Sequence, residues 1–175
     1  MNKVINFGCR LNNFEGKKIE ELLPDNKENI IVINSCAVTN ETERQVRQSI
    51  RKLKKQNPSS KIVLTGCAAQ ISPKKYNQML EIDHLVDNIN KLKSETWSSL
   101  FNEKKQNHFI EDIFDKIEDA IPSISNENTG PRESLVIQQG CNHRCTFCII
   151  PFGRGNNRSF QKEFLINEVK KNVSL

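Results

Sequence analysis

Three short apolar runs, each followed at the same offset by a cysteine, constrain this chain more than any other feature. "VINFGC" ends at Cys9, "IVINSC" at Cys36 and "IVLTGC" at Cys67. The runs Lys3–Phe7, Ile30–Asn34 and Lys61–Thr65 are β-branched and nearly continuous in hydrophobicity, which predicts buried parallel strands. Asp83–Asp87 reads as a weaker fourth strand. Helical patterns fall between them, at Glu15–Leu23, Glu41–Gln56, Pro73–Leu80 and about Asn90–Phe101. Strands alternating with helices define an α/β fold, a parallel sheet with helices on its faces. The carboxyl ends of its strands share one edge, and ligands bind along that edge. Cys9, Cys36 and Cys67 are thereby expected at one site, with Gly8 and Gly66 allowing tight turns beside them. Three cysteines acting only as small apolar residues are the alternative. The repeated offset argues against it.

The first domain is expected to span residues 1–102. From 103 to 133 the chain turns polar ("NEKKQNHF", "SISNENTGP"), the pattern of a linker with a short helix at Ile110–Ile121. Ser134–Gln139 reads as another strand and Gln161–Val173 as a helix, so 134–175 is expected to open a second domain with a single βα unit. One such unit cannot bury its own surfaces, which implies a piece of a longer protein.

Between that strand and helix lies "CNHRCTFC", with Cys141, Cys145 and Cys148 in the spacing C-x3-C-x2-C. No run approaches 18 apolar residues and no signal-peptide pattern opens the chain, so a cytoplasmic, membrane-free protein is expected. Thiols stay reduced there, and six cysteines then point to metal or redox chemistry rather than disulfides. A structural zinc wants four ligands, and His143 is too tightly tethered to supply the fourth. A [4Fe–4S] cluster fits better. A compact loop reaches three of its irons, and the fourth is left open for a cofactor.

The spacing resembles that of the radical S-adenosylmethionine (SAM) superfamily. The segments "GCRLN", "NSCAVT", "TGCAAQ" and "CNHRCTFCIIPFGRG" together resemble the methylthiotransferases. "GCRLN" and "NSCAVT" are most similar to the branch acting on threonylcarbamoyladenosine in tRNA. Ser35, Gly153 and the segment "FEGKK" depart from that branch's usual pattern, and none of these departures replaces a cysteine. The resemblance implies an N-terminal parallel-sheet domain followed by the first unit of a radical-SAM partial TIM barrel. It implies that Cys9, Cys36 and Cys67 hold one [4Fe–4S] cluster and that Cys141, Cys145 and Cys148 hold a second, which cleaves SAM. Phe147 would pack near the SAM adenine. The implied reaction places a methylthio group on C2 of N6-threonylcarbamoyladenosine at position 37 of ANN-decoding tRNAs. An aromatic C–H is too weakly acidic for a side chain to deprotonate, so the cofactor must supply the reactivity. An anticodon loop suits such an enzyme, because its bases can be splayed into a pocket. An electron donor and a sulfur donor are implied, and the sequence names neither. The fragment alone is expected to be inactive.

The net charge of +5 is compatible with an RNA partner. The Glu41–Gln56 helix presents Arg44, Arg47, Arg51, Lys52, Lys54 and Lys55, either to track phosphates or as a solvated face. Arg154 and Arg158 follow the cysteine loop, where they contact SAM or RNA or stabilise the barrel mouth. Tyr76 and Trp97 read as packing residues, and His84 and His108 as structural or exposed. The rivals are methylthiolation of another substrate, either isopentenyladenosine in tRNA or an aspartate of a ribosomal protein, and a zinc- or cluster-stabilised RNA-binding module without catalysis.

Overall fold

In a computed structural model the chain is described over residues 2–24, 29–102, 108–114 and 134–173. The first three runs each make a strand: β1 (Lys3–Asn6), β2 (Ile30–Ser35) and β3 (Lys61–Gly66). With β4 (His84–Val86) and β5 (His108–Phe109) they form a parallel sheet in the order β1-β2-β3-β4-β5. The sheet confirms the α/β expectation.

Alternation along the strands feeds two cores. Ile31 and Ile33 of β2 face one side, with Ile62 and Leu64 of β3 and with Val46 and Ile50 of α2 (Asn40–Gln56). Ile30, Val32 and Val63 face the other, against Ile19 of α1 (Arg10–Leu22) and Trp97 and Leu100 of α5 (Ser94–Asn102). Strands covered on both faces carry unbroken apolar runs, here Ile30–Ile33 and Ile62–Leu64. Tyr76 and Trp97 are fully buried packing residues.

Several boundaries differ from expectation. The third helix stops early, as α4 (Pro73–Asn77), and a short helix α3 (Cys67–Ile71) precedes it. The fourth divides into a 3-10 turn at Asn90–Leu92 and α5. The expected linker contributes to the first sheet: His108–Phe109 is its edge strand, and Ile113 is buried. Ile110–Phe114 is not helical, and the remainder of the helix expected to Ile121 lies outside the described residues.

The strand expected at Ser134–Gln139 is realised only as β6 (Gln138–Gln139). It pairs antiparallel with β7 (Arg158–Ser159), enclosing the cysteine loop and α6 (Ile150–Arg154). Its only described partner is the returning chain, so its hydrogen bonds are met by a hairpin. The helix α7 (Lys162–Val173) follows, as expected.

Candidate metal centre

Register brings the first cysteine group together. β1, β2 and β3 are neighbours, with Asn6 opposite Asn34 and Asn34 opposite Thr65, and Ser35 opposite Gly66. Cys36 and Cys67 each lie one residue beyond that last row, and Cys9 caps the start of α1 after β1. Gly8 and Gly66 have φ of +90° and +92°, where side chains are strained. A Cβ on Gly8 would collide with Cys36 Sγ, and one on Gly66 with the Ser35 backbone. The turns are therefore tight because the thiols and backbones of adjacent strands approach one another there.

Cys36 and Cys67 are buried and Cys9 is exposed. Burial pushes the Cys36 thiol up. The Cys67 and Cys9 thiols add to the rise, while a hydrogen bond from the Val38 backbone and the Arg154 charge oppose it. The three thiols thus share one electrostatic neighbourhood. Among the described residues no three His, Cys, Asp or Glu side chains converge tightly enough to hold a single metal ion.

The second group lies in the loop before α6. Cys141 and Cys148 are half-buried and Cys145 is exposed. Arg144 ties the loop together, donating to the Cys141 and His143 carbonyls at 2.8 and 3.2 Å and to Asn156 Oδ1 at 2.6 Å. Cys148 N donates to the Cys145 carbonyl and Cys141 N to the Gly155 carbonyl. Phe147 is 91% exposed. All six cysteines are free thiols.

Between the two groups lies a buried ionic cluster that the motif spacing does not reveal. Glu15 of α1 pairs with Lys91 at 2.5 Å and with Arg154 of α6, all three buried. Arg154 also donates to Asn12 Oδ1. Asn12 in turn donates to the Phe7 and Ser35 carbonyls, both at 2.9 Å, beside Cys9 and Cys36. Burial would raise the Glu15 carboxyl, but the Arg154 and Lys91 charges overcome it and hold it at about 2. Burial lowers the Lys91 ammonium against the pull of Glu15. Arg154 is therefore an ion-paired residue at the junction of the two segments. The partners are 76 and 139 positions apart, so only the fold unites them.

The cationic face expected on α2 is largely compensated. Arg44 pairs with Glu41, Arg47 with Glu43, Arg51 with Glu81 and Lys54 with Asp83. No described helix is long and apolar enough to cross a membrane.

A parallel α/β domain with a thiol at the end of each of three adjacent strands, ionically joined to a second three-thiol loop, defines a class with known relatives. Residues 2–87 match the family described as "Uncharacterized protein family UPF0004". The chain is 40% identical over 169 residues to the threonylcarbamoyladenosine tRNA methylthiotransferase MtaB of Rickettsia prowazekii, which covers 96% of this chain and 39% of that protein. It is 33% identical over 178 residues to the MtaB of Aquifex aeolicus, 93% of this chain and 42% of that protein. A tRNA-2-methylthio-N(6)-dimethylallyladenosine synthase of Thermodesulfovibrio yellowstonii is 27% identical over 184 residues, 93% of this chain and 40% of that protein. The chain is thus similar to methylthiotransferases over most of its own length, and it spans about two-fifths of the length of these relatives.

Proposed function

We propose that this chain is the double thiol-bearing part of a cytoplasmic enzyme that transfers a methylthio group to C2 of N6-threonylcarbamoyladenosine at position 37 of tRNA. The observation that carries the reading is the gathering of three free thiols at one sheet edge, joined to a separate C-x3-C-x2-C loop. The names of the two MtaB relatives support the substrate.

The donor sets fit two [4Fe–4S] clusters. Three thiolates in each group suit a [4Fe–4S] cluster, which can be held at three of its irons, better than a structural zinc, which wants four ligands. Cys9, Cys36 and Cys67 would hold one cluster and Cys141, Cys145 and Cys148 the other, with three protein ligands each. When bound, these groups supply the reductive cleavage of SAM and a carrier position for sulfur. The rest falls to the chain itself. Gly8 and Gly66 let the strand ends turn within contact of the thiols. Arg144 holds the second loop in shape for its ligands. Phe147 offers an exposed ring to the adenine of SAM. The tRNA partner is engaged through its anticodon loop, where an unstacked base can enter a pocket.

Anaerobic reconstitution of this chain with iron and sulfide tests the two-cluster reading. About eight irons per chain are expected, falling to about four when Cys141, Cys145 and Cys148 are all changed to serine. One or two zinc ions and no visible absorbance would defeat it in favour of a zinc-stabilised module. The substrate is tested on tRNA from cells lacking the full-length protein: the methylthio group should vanish from threonylcarbamoyladenosine. Its loss from isopentenyladenosine instead would transfer the assignment to the reaction named for the Thermodesulfovibrio relative.

A further inference from the structure

Cys67 is covered by the second segment of the chain. Gly153 of α6 backs directly onto it: a Cβ there would stand 3.2 Å from Cys67 Cβ and 3.3 Å from its Sγ. Asn88, in the turn after β4, spans the junction and is only 8% exposed. Its Nδ2 donates to the Gly153 carbonyl at 2.5 Å and stands 3.6 Å from Cys67 Sγ. One residue on, Arg154 crosses to Glu15 and Asn12 of α1. These bonds join positions 65, 139 and 142 apart in sequence. They form between side chains that need no bound group to meet.

We propose that Asn88 and Arg154 are positioning residues: together they seat α6, and with it the second cysteine loop, over Cys67, so that the protein alone sets the spacing of the two cysteine groups. The two points differ in kind. Asn88 links a sulfur of the first group to the backbone of the second segment. Arg154 uses its planar fork to grip a carboxylate and an amide on α1 at once, which a lysine cannot reproduce. An order fixed in advance would spare the bound groups the cost of assembling the junction. That benefit rests on the proposed two-cluster reading. The seating itself does not, so it is tested on the reduced, cofactor-free chain.

Two readouts decide it. Iodoacetamide labelling, resolved by site with mass spectrometry, should mark exposed Cys145 quickly and buried Cys67 slowly. Asn88→Ala and Arg154→Lys should each raise the Cys67 rate about tenfold, the loss of one buried hydrogen bond in a local opening. The Cys145 rate and the Trp97 emission should not change. Spin labels on Cys9 and Cys145, in a Cys36→Ser, Cys67→Ser, Cys141→Ser, Cys148→Ser background, should give one narrow distance distribution that broadens in both variants. A role confined to the stability of the sheet would leave that distribution narrow. An unchanged Cys67 rate in Asn88→Ala, or an unchanged distance distribution in both variants, overturns the proposal. If Arg154→Lys unfolds the chain, seen as Cys36 labelled as fast as Cys145, Asn88→Ala decides alone; unfolding of both variants also overturns it.

Discussion

Cys36 ends a strand buried along its whole length, flanked on both sides by other strands, whereas Cys145 sits exposed in a loop closed by a two-residue hairpin. The first cysteine group is held by long-range topology: its members are 27 and 31 residues apart and meet only because β1, β2 and β3 are neighbours. The second is held by local bonds, chiefly those of Arg144 and the backbone turns between Cys141 and Cys148. One site thus takes its shape from the global fold, while the internal shape of the other rests on a few local hydrogen bonds. Mutations should separate the two, with large stability effects near the first and small ones near the second.

The sharpest break comes from Glu15. Changing it to alanine strands the buried Lys91 and Arg154 cations without their carboxylate. Removing one partner of a buried ionic group costs about 3–5 kcal/mol. Urea unfolding followed through Trp97, the one tryptophan of the chain, should show that loss. A loss under about 1 kcal/mol would mean that the ionic junction contributes little to the fold.

Acid provides the next largest effect. The Glu15 carboxyl is held at about 2, below its ordinary 4.5, so its stabilisation is complete above about pH 4.5 and disappears as the pH falls towards 2. Roughly 3 kcal/mol should be lost across that window. Glu15→Gln should remove this component, leaving a shallower acid profile in the same unfolding assay. Parallel slopes for the two proteins would assign the acid sensitivity to other carboxylates.

These two expectations turn on pairings that motif reading did not find. The sheet was legible because β2 and β3, buried on both faces, carry unbroken apolar runs at Ile30–Ile33 and Ile62–Leu64, and a run of that kind has few other uses. The edge position of Cys9, Cys36 and Cys67 followed from their constant offset after the strands. The C-x3-C-x2-C group was legible from spacing alone. The ionic cluster was not, because Glu15 sits in an ordinary amphipathic helix and Lys91 in a polar turn, and neither carries a local sign of the other. Nor was β5 visible: two residues inside a polar stretch make no periodic pattern, and they gain their place by pairing with β4. The short α3 was hidden for a related reason, since five residues after a left-handed Gly66 give too few turns to show a helical period.

Gly66 gives the third test. Its φ of +92° and the Ser35 backbone beside it leave no room for a Cβ. Gly66→Ala should cost about 2 kcal/mol or more and speed the alkylation of Cys36 and Cys67 together. A variant as stable as the parent would show that the strand end can relax without its glycine.

The smallest effect is expected from Arg144→Ala, and it tests the local side of the comparison. Arg144 donates only within its own loop and stacks its guanidinium 5.3 Å from the Phe114 ring, on an exposed surface. Exposed bonds of this kind contribute about 0.5–1 kcal/mol, so global unfolding should barely shift. The consequence should instead appear inside the loop. Without the tie to the Cys141 carbonyl and Asn156, the three thiols lose their common frame, and iron retained by this group after reconstitution should fall while that of Cys9, Cys36 and Cys67 holds. Loss from both groups alike would mean that the second loop supports the first, and the division between a topological site and a local one would have to be abandoned.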